Sequence, residues 1–394
     1  MLDLAARAET PKSAAEVAAL VADAGAAGRT LEIVGGGTKR GIGRVEADAI
    51  LSLAGLNKVI DYAPEELVLT AQAGATLAQL EKLVAAEGQM LPFEPPHLTQ
   101  LLGSKGRPTL GGVLATNLSG PRRIRCGAAR DHFLGLEAVT GRGEVVKAGG
   151  RVVKNVTGYD LCKLMAGSWG TLAIFTEVTI KVLPAARTEL TLLFFGLGDE
   201  RAVEVMTRAL NAPVDVSGAA HLPERAAARA PLKGEMAVTA LRIEGFAASV
   251  AARAEHLATA LKDFGRSELL DAEHSREFWA QIREVEAFRK DTRPLWRLAV
   301  PPSVGWRVAE AVAGEVLYDW GGGLVWLLAD AEPAAVRAAA QALGGHATLY
   351  RGDGPAFAPL EGALGALSSR VKAAFDPGGV LNPGRMGPIG HRVD

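Results

Sequence analysis

At 394 residues, with 48% hydrophobic and 22% charged side chains, the chain has a globular composition and the length of about two or three domains. A formal net charge of -1 excludes a global attraction to nucleic acid or to an anionic membrane. Its two cysteines, Cys126 and Cys162, are too few for an iron–sulfur cluster, which takes about four, and read as packing residues in a reducing compartment. The stretch Met1-Leu2-Asp3-Leu4-Ala5-Ala6-Arg7 lacks the basic and apolar regions of a secretory signal, and no apolar run reaches the roughly 18–20 residues of a membrane span. A cytoplasmic protein is expected, docking at the inner membrane only through a partner.

Ser13-Ala14-Ala15-Glu16 is a capping box: Ser13 accepts from the first helical turn and Glu16 reaches back. Val17, Leu20, Val21 and Ala24 follow at i, i+3, i+4 and i+7, which predicts a one-sided helix ending near Gly25. Residues 31–34 are predicted as a strand, Gly35-Gly36-Gly37-Thr38-Lys39-Arg40 follows directly, and a second strand is expected at 49–51. A strand, a glycine loop and a basic pair form an anion nest, with successive N–H groups turned toward a phosphate. The dinucleotide pattern fails because Arg40 stands where the third glycine belongs, and the P-loop pattern fails because Ile42 replaces its lysine. On the loop alone, a plain surface turn is the equal alternative.

Residues 67–71 read as a strand, and Thr76-Leu77-Ala78-Gln79 as another capping box. Leu77, Leu80, Leu83 and Val84 give that helix its apolar face, and Gly88 stops it. Pro92, Pro95 and Pro96 stiffen an extended segment that packs without joining a sheet. The stretch 108–183 organises the chain. Gly111-Gly112 precede a short apolar run, and Gly141, Gly143, Gly158, Gly167 and Gly170 recur as if the backbone were built against a large flat ligand. Loop-rich β structure explains part of that recurrence. Residues 133–140 and 144–147 are predicted as a hairpin, Asp160 as the cap of a helix at 161–166, and 172–182 as a long strand. After Pro184, strands alternate with alanine-rich helices near 202–211, 248–262 and 333–343, the pattern of a separate α+β domain. The tail 370–385 is a helix end followed by dense Pro and Gly, the composition of an ordered return.

Five segments, taken in order, carry a family resemblance. They are 34–40, 67–74, 109–117, Val153-Lys154-Asn155-Val156-Thr157-Gly158-Tyr159-Asp160-Leu161, and Gly167-Ser168-Trp169-Gly170-Thr171-Leu172. With the tail Phe375-Asp376-Pro377-Gly378-Gly379-Val380-Leu381-Asn382-Pro383-Gly384-Arg385, they resemble the vanillyl-alcohol oxidase (PCMH-type) flavoproteins. Pro92-Phe93-Glu94-Pro95-Pro96, 154–164 and Leu295-Trp296-Arg297-Leu298 are similar to one group in particular. That group comprises the smaller FAD-binding subunits that work beside a larger FAD-containing subunit and an iron–sulfur subunit in bacterial glycolate oxidation. The resemblance implies an α+β chain: a PCMH-type two-subdomain FAD-binding fold at 1–184, a ferredoxin-like α+β cap at 185–360, and a C-terminal segment, 361–394, returning to the FAD domain. It also implies oxidation of glycolate to glyoxylate, with electrons passed to the partner subunits.

By the same resemblance, Gly35, Gly36, Gly37, Thr38 and Lys39 hold the FAD pyrophosphate through backbone N–H groups. Pro108, Leu110, Gly111, Gly112, Ala115, Thr116, Asn117 and Gly120 line the flavin and pyrophosphate. Gly170 and Ile174 meet the nucleotide half, and Asn382 approaches the flavin ring from the cap side. Thr38 stands where covalently flavinylated relatives carry histidine, so noncovalent FAD is expected. The catalytic 2-hydroxyacid relatives carry an H-x-G-D-G-N metal and substrate motif in the cap; nothing here matches it. No metal site is expected, since His346 has no neighbouring carboxylate. The catalytic residues stay unassigned, with three weak candidates. Arg297 either clamps a small carboxylate or lays its stem on Trp296. Tyr159 either reaches the active-site side of the flavin or is structural, and His346 is a base or a strand residue. Two rival functions stand beside the subunit reading: a self-sufficient 2-hydroxyacid dehydrogenase, and a non-catalytic scaffold.

Overall fold

The computed structural model describes residues 8–43, 45–151, 158–230 and 235–387. The Val153-Lys154-Asn155-Val156-Thr157 part of the sequence motif, and residues 1–7, lie outside the described residues.

Helix α1 (Ala14–Ala26) is capped by Ser13, whose Oγ accepts from the Glu16 N–H at 3.2 Å, while Glu16 reaches back one residue beyond the expected box and accepts from the Lys12 N–H at 2.8 Å. Such a cap is worth about 1 kcal/mol. Strands β1 (Leu31–Val34) and β2 (Ala49–Ser52) pair in parallel, and a short strand, Ala8–Glu9, adds to the far side of β2. A second, antiparallel sheet follows from β3 (Val59–Ala63), β4 (Val68–Gln72), β5 (Phe133–Thr140), β6 (Val145–Gly149) and β7 (Ala173–Lys181), in the order β3-β4-β7-β5-β6. Helix α2 (Leu77–Ala86) is capped by Thr76 Oγ1 and ends before Gly88, at φ +66°.

Helix α3 (Leu110–Thr116) has no counterpart in the sequence reading, because its first turn contains the glycine pair that intrinsic propensity disfavours in a helix. Tertiary contact overrides propensity there. A β-carbon on Gly111 would sit 2.6 Å from that of Ala73, so the helix packs on the end of β4 only because the side chain is absent. A one-turn helix, α4 (Arg123–Cys126), and α5 (Leu161–Met165), capped by Asp160, complete this part.

The second part is one eight-stranded antiparallel sheet built from two similar units. The first runs β8 (Thr188–Phe195), α6 (Asp199–Asn211), β9 (Val216–Leu222), β10 (Val238–Gly245), α7 (Ala247–Ala260) and β11 (Ser267–Leu270), paired in the order β11-β8-β10-β9. After α8 (Ala272–Glu284) the second begins with β12 (Leu295–Ala299). A short helix, Arg307–Ala311, β13 (Glu315–Asp319), β14 (Leu324–Leu328), α9 (Pro333–Ala342) and β15 (His346–Arg351) follow, paired β13-β14-β12-β15. Both are βαββαβ units of ferredoxin-like strand order, joined edge to edge through β9 and β13, where His221 faces Tyr318.

Because side chains alternate across a strand, each cap strand serves two cores. Trp296, Leu298, Val325, Leu327 and Leu349 face the helices α6, α7 and α9. Leu295, Leu317, Trp326, Leu328 and Tyr350 face the other way and share a continuous core with Leu77, Phe93 and Leu114 of the first part. Arg297 is therefore on the opposite face from Trp296, turned toward the first part.

Buried charge ties the two together. Glu94, held at φ +46° in the proline-rich segment, accepts from Arg242 at 2.9 and 3.0 Å and from the Arg122 N–H at 3.0 Å. Arg122 in turn reaches Glu244 at 2.7 Å, and Glu284 accepts from the backbone of His97 and Leu98. A final helix, α10 (Gly362–Phe375), has no fully buried residue. Beyond it the tail returns as an ordered segment: Asp376 accepts from the Val380 and Leu381 N–H groups, and Leu381 bridges to Leu31 on β1.

Candidate functional site

Three stretches of chain meet in one open cleft. The first is the glycine loop after β1. Its position is fixed by backbone contact, since a β-carbon on Gly36 would fall 1.5 Å from the Arg107 carbonyl oxygen and one on Gly106 1.7 Å from that of Gly36. Next comes the start of α3, where Thr109 Oγ1 accepts from the Gly112 N–H at 3.3 Å and lies 2.7 Å from where a Gly35 β-carbon would be. The third, Trp169-Gly170 and the start of β7, forms the facing wall.

The tail closes the site. Asn382, 3% exposed, accepts from the Ile33 N–H at 2.8 Å and donates through Nδ2 to the carbonyls of Trp169 at 2.8 Å and Gly170 at 3.3 Å. Its side chain joins β1 to the opposite wall and faces neither the cap nor solvent.

The cleft is electropositive. Burial pushes the Lys39 ammonium down to about 8, opposed by the charge of Glu284, and its only hydrogen-bond partner among the described residues is Thr38 Oγ1 at 3.1 Å. Arg385 is buried beside it; burial lowers its pKa, Glu32 opposes and Arg40 adds to the fall. Its Nη1 donates to the Ile42 carbonyl at 3.0 Å while its Nε has no partner among the described residues. Arg40 pairs with Glu32 at 2.8 Å and Arg385 reaches the same carboxylate at 3.5 Å, so one carboxylate answers two guanidiniums. A glycine loop, glycines that admit no β-carbon and a buried guanidinium whose Nε is unpartnered among the described residues together suit a bound polyanion.

Of the residues singled out in the sequence, the cleft brings together Gly35, Gly36, Gly37, Thr38, Lys39, Gly111, Gly112, Ala115, Thr116, Gly170, Ile174 and Asn382. Pro108, Leu110, Asn117 and Gly120 lie elsewhere. The Pro108 carbonyl accepts from Leu77, Leu110 is fully buried in the core, and Asn117 ends α3 in the left-handed region and accepts from the Arg130 N–H. Gly120 abuts the cap: its carbonyl accepts from Trp320 Nε1 at 3.0 Å, and a β-carbon there would meet the Glu94 carbonyl at 2.2 Å. Arg385 and Trp169 are cleft residues that the reading passed over, although both lie inside motifs it quoted.

The weak catalytic candidates also separate. Tyr159 is 93% exposed and does not line the cleft. Arg297 does not stack on Trp296, which carries Arg337 on the helix side; its guanidinium lies 5.0 Å from the ring centre of Trp320. His346, the first residue of β15, is exposed, and its pKa is lowered by lost hydration and by the charges of Arg297 and Arg123. Trp169, in the cleft wall, meets Phe357 of the cap edge-on at 5.2 Å, so cleft and cap face adjoin.

The FAD binding domain family matches residues 5–149. Glycolate oxidase subunit GlcE of Escherichia coli (strain K12) is 36% identical over 357 residues, spanning 90% of this chain and 92% of that one. Glycolate oxidase subunit GlcD of Bacillus subtilis (strain 168) is 34% identical over 148 residues, 38% of this chain and 30% of that one. Among solved structures, p-cresol methylhydroxylase aligns with a TM-score of 0.70 at 16% identity, covering 97% of this chain and 88% of that one, a likeness of fold.

Proposed function

This chain belongs to the family of glycolate oxidase subunit GlcE and carries an FAD binding domain; on that premise we propose that it is the FAD-binding subunit of a multi-subunit glycolate oxidase. In that role it takes part in the oxidation of glycolate to glyoxylate and passes the electrons to partner subunits. A larger flavin subunit and an iron–sulfur subunit are the partners proposed, in the cytoplasm, with any membrane contact made through them.

The observation that carries this reading is the anion cradle between residues 35–39 and 109–112, flanked by buried Lys39 and Arg385. The glycine-loop N–H groups, Lys39 and Arg385 would hold the pyrophosphate, and Ala115, Thr116, Trp169 and Ile174 would border the rest of the cofactor. When bound, FAD supplies the two-electron redox chemistry that converts a 2-hydroxyacid to a 2-oxoacid. The protein's own contribution is position and electrostatics: a glycine floor set by backbone contact, and fixed N–H dipoles. With Thr38 in the loop, FAD is held without a covalent bond.

Anaerobic addition of glycolate to the FAD-loaded chain, alone and then mixed with its partner subunits, tests the assignment. Bleaching of the flavin only in the mixture supports a subunit that completes its activity in a complex. Bleaching of the isolated chain identifies a self-sufficient dehydrogenase instead.

A further inference from the structure

Apart from the residues that line the cleft, two arginines meet where the first part packs on the cap. Arg123 comes from α4 in the first part and Arg297 from β12 in the cap, and both guanidiniums lie over the ring of Trp320, at 4.1 and 5.0 Å from its centre. No more than about 9 Å therefore separates them. Other arginines of this interface are neutralised: Arg122 and Arg242 both engage Glu94 and Glu244. Arg123 and Arg297, by contrast, have no carboxylate within 4.0 Å among the described residues. Arg297 Nε is buried without a hydrogen-bond partner. Buried Asp319 feels the charge of Arg297 and Asp131 that of Arg123, and one Asp319 oxygen is occupied by the Trp320 N–H at 2.7 Å.

Two partly buried guanidiniums of like charge repel, and an anion between them relieves the repulsion. Charge-assisted N–H···O bonds of about 2.7–2.9 Å let a single carboxylate reach both forks across such a gap, with the indole as an apolar floor. Thr348, beside Arg297 across the strand pair, offers a hydroxyl on the same face. Trp326 and Tyr350, buried edge-on against each other on the same face, border it with apolar surface.

We propose that Arg123 and Arg297, one from each part of the molecule, form a carboxylate site over Trp320 that binds a short 2-hydroxycarboxylate on this chain itself. The site rests on the preceding reading for its meaning as a substrate site, but its existence can be tested separately. Because one arginine lies on each side of the interface, the site is complete only when the cap is docked.

The probe is oxalate, a two-carbon carboxylate with no hydroxyl to oxidise, titrated calorimetrically into the full chain with and without FAD. Oxalate is expected to bind, and glycolamide, which is neutral and of similar size, is not. Arg297→Gln and Arg123→Gln should each weaken oxalate binding by roughly ten- to a hundredfold, with partial recovery in Arg297→Lys. Arg337→Gln, which removes a guanidinium from the other face of the sheet, should change nothing. Unaltered affinity in both glutamine variants, or equal binding of glycolamide, overturns the proposal. Oxalate binding by a chain that takes up no FAD would leave this site standing and defeat the cofactor reading.

Discussion

Adding one methyl group at Gly36 tests the cofactor cradle at its tightest point. A carbon–oxygen contact needs about 3.3 Å, whereas a β-carbon on Gly36 would lie 1.5 Å from the Arg107 carbonyl oxygen. Gly36→Ala must therefore drive the loop and the 106–107 backbone apart by almost 2 Å. If two charge-assisted N–H···O bonds to the pyrophosphate are lost, at about 1.5–3 kcal/mol each, FAD affinity falls by roughly 10²–10⁴-fold. Two neighbours calibrate the effect. Gly41 has nothing within 4 Å, so Gly41→Ala should bind FAD like the parent. At Gly37 a β-carbon finds space, 3.8 Å from its nearest neighbours, but φ is +72°, so Gly37→Ala pays only about 1 kcal/mol of backbone strain. FAD affinity is measured by flavin fluorescence quenching, with circular dichroism confirming the fold of each variant. A folded Gly36→Ala chain binding FAD as tightly as Gly41→Ala would refute the placement of the cofactor on this loop.

Three further outcomes follow from the buried contacts. Glu94→Gln leaves Arg242 and Arg122 short of a carboxylate in the interface and should lower stability by about 3–5 kcal/mol in chemical denaturation; a loss under 1 kcal/mol would contradict the described ion cluster. For Glu244, burial pushes the pKa up, but Arg242 and Arg122 outweigh it and hold the carboxyl at about 2, below its ordinary 4.5. A depressed folded-state pKa gives stability present above the unfolded value and lost as pH falls through the folded one. The advantage over Glu244→Gln should thus be about 3 kcal/mol at neutral pH and shrink between about pH 4.5 and 2; a pH-independent difference would count against the ion pairing. Asn382→Ala removes three bonds and strands the Ile33 N–H. It should cost about 2–4 kcal/mol and expose the tail to limited proteolysis, with an unchanged digestion pattern as the contrary result.

Much of the fold was legible where the determinants are local. Ser13, Thr76 and Asp160 cap the helices assigned to them, and the strands around residues 31–34, 68–72 and 173–181 follow their apolar and β-branched runs. Helix α3 was hidden because its glycines are chosen by contact with Ala73 rather than by helix propensity. The strand order of the cap, with two ferredoxin-like units sharing one sheet, is a long-range property that no single segment encodes. The same holds at the sites. Gly35, Gly36, Gly37, Gly111 and Gly112 announce themselves by composition, whereas Arg123, Arg297 and Trp320 come together only through docking of the cap. Tyr159 drew notice as an aromatic within a motif, yet its ring is in solvent.

The central claim is that this chain holds FAD in the cleft without a covalent bond. The most direct measurement is gel filtration of the purified chain after incubation with FAD, followed by acid precipitation of the protein peak. The account predicts a flavin absorption spectrum eluting with the protein and yellow flavin released into the supernatant. A colourless protein peak, or flavin that stays with the precipitate, would contradict it.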